Sequence, residues 1–437
     1  MDVSSLPLSI PRRTLRLFGQ FWVPLITWYL VGRGLHDLIA EVAAHVNGIN
    51  KVAGYALLSL AILCTLTSYV LMFVSVRRGL PTLWSLRQSE AAVDPTIKAP
   101  EREGLGELIR SIGLSLMPFL LVYSAWDLFM DDVRQLEYRG WELHPLGGAP
   151  SESTDFTWWF AGAGVVAWIL VKIFEGITRK TLNPVTGLLA AVFESLWMFF
   201  GLLGVLKLGR EFLGWLSGTL AWQNLVGTKD IFDGVGPMVP IHFHHLFTFD
   251  LGWFTPFQGA VKDGIILPIA WLAIAGAVYG RQMEDVRILL GDKQLGRVTK
   301  TLEKAPGVVK RWANRFPPDG FKEKYYPPLH AIRLMLAAGV PAALLFCVFY
   351  GGVELTGVLL KQGIVTIIGP HDSGMFWQEA SGVLDVAIFA IIEPLRICLL
   401  AVTFDLAMSR FSARRNGSSA GSPDTTRESA AAPSPAP

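Results

Sequence analysis

The chain has 437 residues, of which 51% are hydrophobic and 17% charged, with a mean hydropathy of +0.42. Soluble domains carry nearer a quarter charged residues, so the composition points to a membrane protein. The formal net charge is only +2, which excludes the global basic field of a nucleic-acid binder.

Residues 1–14 read as a short polar lead with Pro7 and Pro11. Arg12 and Arg13 precede a long apolar run without a small-x-small cleavage site, so the first span reads as uncleaved. Span one covers about 17–40, and its outer half carries Arg33, His36, Asp37 and Glu41. Span two, about 53–76, is apolar throughout and stops at Arg77-Arg78. A polar loop, 77–109, leads to span three at about 108–131, which ends in DLFMDD. The next stretch, VRQLEYRGWELHPLGGAPSESTDF, reads as a loop. Span four, about 156–178, stops at Arg179-Lys180, and span five follows at about 188–212.

A long outer loop then carries VPIHFHHLFTFDLGWFTPFQ, which Pro237, Pro240, Gly252 and Pro256 break too often for a span. Span six, about 261–280, stops at Arg281. Residues 281–330 form a basic cytoplasmic loop, whose amphipathic part, 281–315, suits anionic lipid. Span seven reads as about 331–357 and span eight as about 382–409, ending at Arg410. Residues 411–437 are rich in Ser, Ala, Pro and Gly and read as a disordered cytoplasmic tail.

The fold class expected is therefore an all-α integral membrane protein, a polytopic bundle over 1–410. Spans two, four, six and eight all end in Arg or Lys, and the loops on the other side are richer in acids. The positive-inside rule then puts both termini in the cytoplasm of a multi-pass cell-membrane protein.

The odd spans share a pattern. Arginine, proline and acid recur as Arg16, Pro24, Asp37, as Arg110, Pro118, Asp131, and as Arg333, Pro341, Glu354. A degenerate copy has Ala190, Met198 and Glu211 at those places. Arginine to acid is 21 residues, about 31 Å of helix, close to the hydrocarbon thickness of a bilayer. The pattern reads as four parallel-repeated helical hairpins with the acids at one outer interface. Charges also gather at span ends by rule, which makes the fixed proline offset the more telling feature.

Three groups of residues could carry function. The first is the set of outer acids Asp37, Asp131, Glu211 and Glu354, with Arg33, Asp127, Lys207 and Tyr350 four residues earlier on each helix. It reads either as a polar vestibule for a cation or head group, or as solvated helix ends held by ion pairs. The second is Glu393 with Arg396, near the middle of span eight with Pro394 between them. Charge at that depth is costly unless paired or wetted. They read as a structural ion pair or as an intramembrane site. The third is His242, His244 and His245 with Asp250 nearby, a weak candidate for zinc because no spaced metal motif accompanies it. Cys64, Cys347 and Cys398 lie far apart in apolar runs and read as buried hydrophobes.

No nucleotide loop, dinucleotide fingerprint or nucleophile elbow is present in the sequence, and no cofactor is expected. The functional expectation is binding or translocation of a small or amphipathic substrate through a charged site in the bundle. The alternatives are a non-catalytic membrane subunit or scaffold working through a membrane protein partner, and a metal-dependent enzyme at the outer face. Enzymatic activity is the less favoured reading. The partner expected in every case is the lipid bilayer.

Overall fold

The computed structural model describes residues 6–85, 119, 128–143, 158–181, 184–217, 261–280, 340–371 and 376–419. All of these are helix or short connections between helices, and among the described residues there is no strand. The helices are α1 (Leu6–Asn47), α2 (Lys51–Val76), α3 (Leu128–Leu143), α4 (Trp158–Thr181), α5 (Pro184–Ser217), α6 (Leu267–Gly280), α7 (Val340–Ile368) and α8 (Phe376–Ser419). A π-helical turn, Lys262–Ile266, leads into α6. Four stretches are long and apolar enough to cross a membrane: Lys51–Gly79, Trp159–Thr178, Pro341–Ile368 and Ala380–Arg410. These are the features of an all-α membrane protein.

Helix α2 is the centre of the bundle because it has no polar face to turn outward. Its Leu58, Ile62, Leu66, Val70 and Phe73 are buried against neighbours on several sides. A tight turn joins it to α1, and Asn50 caps it by accepting a hydrogen bond from the Ala53 amide at 3.2 Å. The two helices then run back along each other. A Cβ at Gly32 would overlap Ser68 of α2, so only glycine permits this approach. Trp28 Nε1 donates to Ser75 Oγ at 3.2 Å further along the same seam.

The other helices attach around this pair. Ser59 and Ser195 place their hydroxyls 3.2 Å apart between α2 and α5. The Tyr279 hydroxyl of α6 donates to the Phe73 carbonyl of α2 at 2.9 Å. Helix α8 packs on α1 and α7, while α4 packs along α5. Helix α4 turns Trp159, Val165, Val166 and Ile173 outward, as a lipid-facing helix would.

Several boundaries differ from the sequence reading. The lead before span one is already helical from Leu6, with Pro7 in the opening turn, where a missing amide costs least, and Pro11 inside the helix. Of the stretch read as a loop, 144–156 lie outside the described residues, while the first part, residues 133–143, is helix and completes α3. Its apolar residues recur at helical spacing, and Val133 and Leu136 are buried against the α1–α2 hairpin. Helix α7 runs to Ile368, eleven residues beyond 357, and ends at Gly369 with φ +81. Helix α8 continues to Ser419, so the segment just past Arg410 is helix rather than disordered tail.

Candidate functional site

The site grows out of the middle of α8. Glu393 and Arg396 lie three residues apart on one helical face, and both are buried, at 6% and 8% exposure. Arg396 Nη1 donates to both oxygens of Glu393, at 2.8 and 2.9 Å. Arg396 Nη2 reaches across to Glu354 Oε1 on α7. The guanidinium carbon also lies 5.6 Å from the centre of the Tyr350 ring, one turn before Glu354. The Tyr69 hydroxyl of α2 lies against the Glu393 carboxylate, and Tyr29 of α1 approaches the same cluster.

Glu354 is expected at the outer interface, near the end of a span closing at 357. The structure carries α7 on to Ile368 and packs Glu354 against Arg396 of α8. Glu354, Glu393 and Arg396 are therefore one cluster between two adjoining helices. Gly357 allows the close approach, since a Cβ there would meet Ile392 Cγ1 at 3.3 Å.

The charges do not balance. Two carboxylates share one guanidinium, and arginine keeps its charge at any physiological pH. With both acids ionised the cluster carries a net charge of −1, a costly state for largely buried charges unless a proton or ligand completes it. Arg396 Nε is buried and has no hydrogen-bond partner among the described residues. Pro394 lies between the two α8 charges and supplies no amide to the carbonyl four residues before it.

The remaining outer acids are arranged differently. Arg33 Nε donates to Asp37 Oδ2 at 3.0 Å on α1. His36 Nδ1 lies 3.2 Å from Asp37 Oδ1, and His36 Nε2 lies 3.7 Å from Asp132 Oδ1 on α3. His36 thus joins α1 to α3, beside a cavity of about 10 Å³, room for one water. Asp131 points outward and pairs with Arg134 at 2.7 Å. Lys207 and Glu211 lie on α5, and their side chains are outside the described residues. Asp127, His242, His244 and His245 are also outside the described residues. No group of His, Cys, Asp and Glu that could hold a metal occurs among the described residues.

Compared with protein-family models, curated proteins and solved structures, the chain matches none. The geometry of the site therefore carries the functional argument alone.

The sequence reading missed Asp405. It is 2% exposed on α8. Its Oδ1 accepts from the backbone amides of Thr82 and Leu83, each at 3.0 Å, and its Oδ2 accepts from Thr82 Oγ1 at 3.1 Å. Those amides open a helical turn over residues 81–85. The signals were an acid inside an apolar run and Pro81 at a helix start, but nothing local connects them. Glu194 on α5, buried at 7%, was also missed.

Proposed function

We propose that this is a multi-pass membrane bundle that binds or translocates a small or amphipathic substrate at the Glu393–Arg396–Glu354 cluster. The unequal charge of that cluster carries the reading. A purely structural lock is most economical with one acid and one base, because every unmatched buried charge weakens the fold. Here a second acid reaches the same arginine from another helix. The surplus makes the cluster a place where a proton or a ligand can be exchanged. Glu354 supports this, because its side chain is 41% exposed and gives access from the flank of α7.

The organisation proposed with this function is eight spans in four repeated hairpins, with both termini in the cytoplasm. The basic residues at the ends of the even spans support it. So does the packing of Asp405 near the end of α8 against the turn that follows α2. Single cysteines at Ser151, Gly234 and Ser373 should react with an impermeant thiol reagent outside intact cells, and one at Ser418 should not. Labelling at Ser418 from outside would overturn the topology.

The second reading, a scaffold acting through a partner membrane protein, rests on the outer acids. Among the described residues Asp37 is paired with Arg33 and His36, and Asp131 with Arg134. A density map of the full chain in lipid separates the two readings. A ligand or ion against Glu354 and Arg396 is the expected result. A partner chain on the bundle, with nothing at the cluster, would favour the scaffold.

A further inference from the structure

The proposal above names a site without saying which sign of substrate it takes. The unpartnered Nε of Arg396 decides that. In a guanidinium group the Nε–H and one Nη2–H lie along the same edge and point the same way, so a carboxylate or phosphate can accept both at once. Glu354 Oε1 lies against Nη2, and the Nε–H on the neighbouring corner is left without a partner among the described residues, in a residue 8% exposed. The opposite edge is closed by Glu393. A half-filled donor fork selects an acceptor. A cation gains nothing from an N–H, although the net negative charge alone would suggest one.

We infer that the substrate has an acidic head, a carboxylate or phosphate ester on an apolar tail, which replaces Glu354 on the Nε/Nη2 edge of Arg396 while Glu354 takes up one proton. The inference rests on reading the cluster as a binding site. The step balances. One anion leaves the guanidinium and another arrives, and one proton from solution goes to the Glu354 carboxylate, so the cluster remains at −1 when the arriving head is a monoanion; a dianionic phosphate ester keeps that balance by taking a second proton on its own head.

The path to the edge lies along α7. Gly351 and Gly352, within one turn of Glu354, are exposed and have open space where a Cβ would be. Leu355, Val358 and Leu359 continue an exposed apolar face on which a tail can lie. Among the described residues the neighbouring charged and titratable groups are paired elsewhere or exposed. Lys361 is paired with Asp385 of α8 at 2.6 Å. Asp263, in the turn before α6, is exposed. On the other side of the cluster, Tyr350 is stacked beneath the guanidinium, Tyr69 and Tyr29 line Glu393, and Arg33 is bound to Asp37.

Calorimetric titration of the full chain in dodecyl maltoside micelles tests the inference. The probes are dodecanoate, dodecyl phosphate and dodecyltrimethylammonium, each in two buffers of different ionisation enthalpy. Dodecanoate should bind with uptake of one proton at Glu354, its affinity falling about tenfold per pH unit as pH rises from 7 to 8, and dodecyl phosphate should take up that proton in addition to any its own head acquires. Glu354→Gln should bind dodecanoate without proton uptake and without that slope. Arg396→Lys keeps the charge and loses the fork, so it should weaken anion binding at least about tenfold. Micelles doped with phosphatidylglycerol identify the source of the head. Competition there assigns the edge to a lipid head group, and unchanged affinity assigns it to a free amphipathic acid; both support the inference.

Binding of the quaternary ammonium alone would overturn the anion while leaving the binding site standing. Anion binding without proton uptake would overturn the exchange with Glu354. Binding of no probe, with only water on Nε, would overturn the inference and the binding-site reading together.

Discussion

Arg396→Leu should be among the most destabilising single changes in the bundle, costing about 3–5 kcal/mol. It leaves Glu393 and Glu354 facing each other with no cation between them. Glu393→Gln should cost much less, although the carboxylate it removes is the more deeply buried. After that change Arg396 and Glu354 remain as a matched pair. This ranking follows from the two-to-one charge ratio and reverses the order expected from burial alone. The triple change Arg396→Leu, Glu393→Gln, Glu354→Gln should recover most of the loss, because no unmatched charge remains. Thermal unfolding in detergent measures all three. If Glu393→Gln is as damaging as Arg396→Leu, Glu354 is not a true third member of the cluster. If the triple variant is stable but no longer binds ligand, the cluster serves function and not only the fold.

Asp405→Leu should be of similar severity, about 2–5 kcal/mol, for a different reason. The carboxylate accepts two backbone amides and a hydroxyl at the start of the turn over 81–85. Leucine fills the space and leaves those donors buried without partners. Asp405→Asn is the informative contrast. One oxygen accepts both amides, so an amide carbonyl can keep them, and the Thr82 hydroxyl can turn to accept from the new NH₂. The asparagine variant should therefore lose only about 1 kcal/mol, the part owed to charge at a helix N-terminus. Equal losses in the two variants would show that the negative charge, rather than the hydrogen-bond pattern, holds the turn.

The parts of this structure legible in the sequence are those that depend on local composition. Span six reads as about 261–280 from the apolar run that follows Lys262 and Asp263, and the π turn with α6 makes that stretch helical, although its apolar part, Asp263–Gly276, is shorter than the four candidate spans. Glu393 and Arg396 stand out because two charges interrupt an apolar run at a spacing that lets them pair. Helix α7 was harder. Gly351, Gly352, Glu354, Lys361 and Gln362 break its hydropathy, so the span seemed to close near 357. The helix continues because backbone groups at membrane depth must bond within the segment whatever the side chains are. Helix α3 was misread for the related reason that its charges looked like loop composition, although Val133 and Leu136 keep a helical spacing. The contact of Asp405 with Thr82 spans 323 residues, and no local pattern carries such a link. The place of Glu354 in the cluster is hidden in the same way, since it depends on how α7 and α8 pack.

Helix α8 is held differently on either side of Pro394. Toward its start, Asp385 is tied to Lys361 of α7. Toward its end, Asp405 is tied to the turn that follows α2. The proline between them removes one rung of the helical ladder at residue 394. The two arms of α8 thus answer to different neighbours, and Glu393 and Arg396 flank the fulcrum. Were α7 displaced sideways, the Lys361–Asp385 pair would carry the first arm with it while the Asp405 contacts held the second. Such a displacement would also change the Glu354–Arg396 contact, which ties the donor fork to the bending of α8 at Pro394.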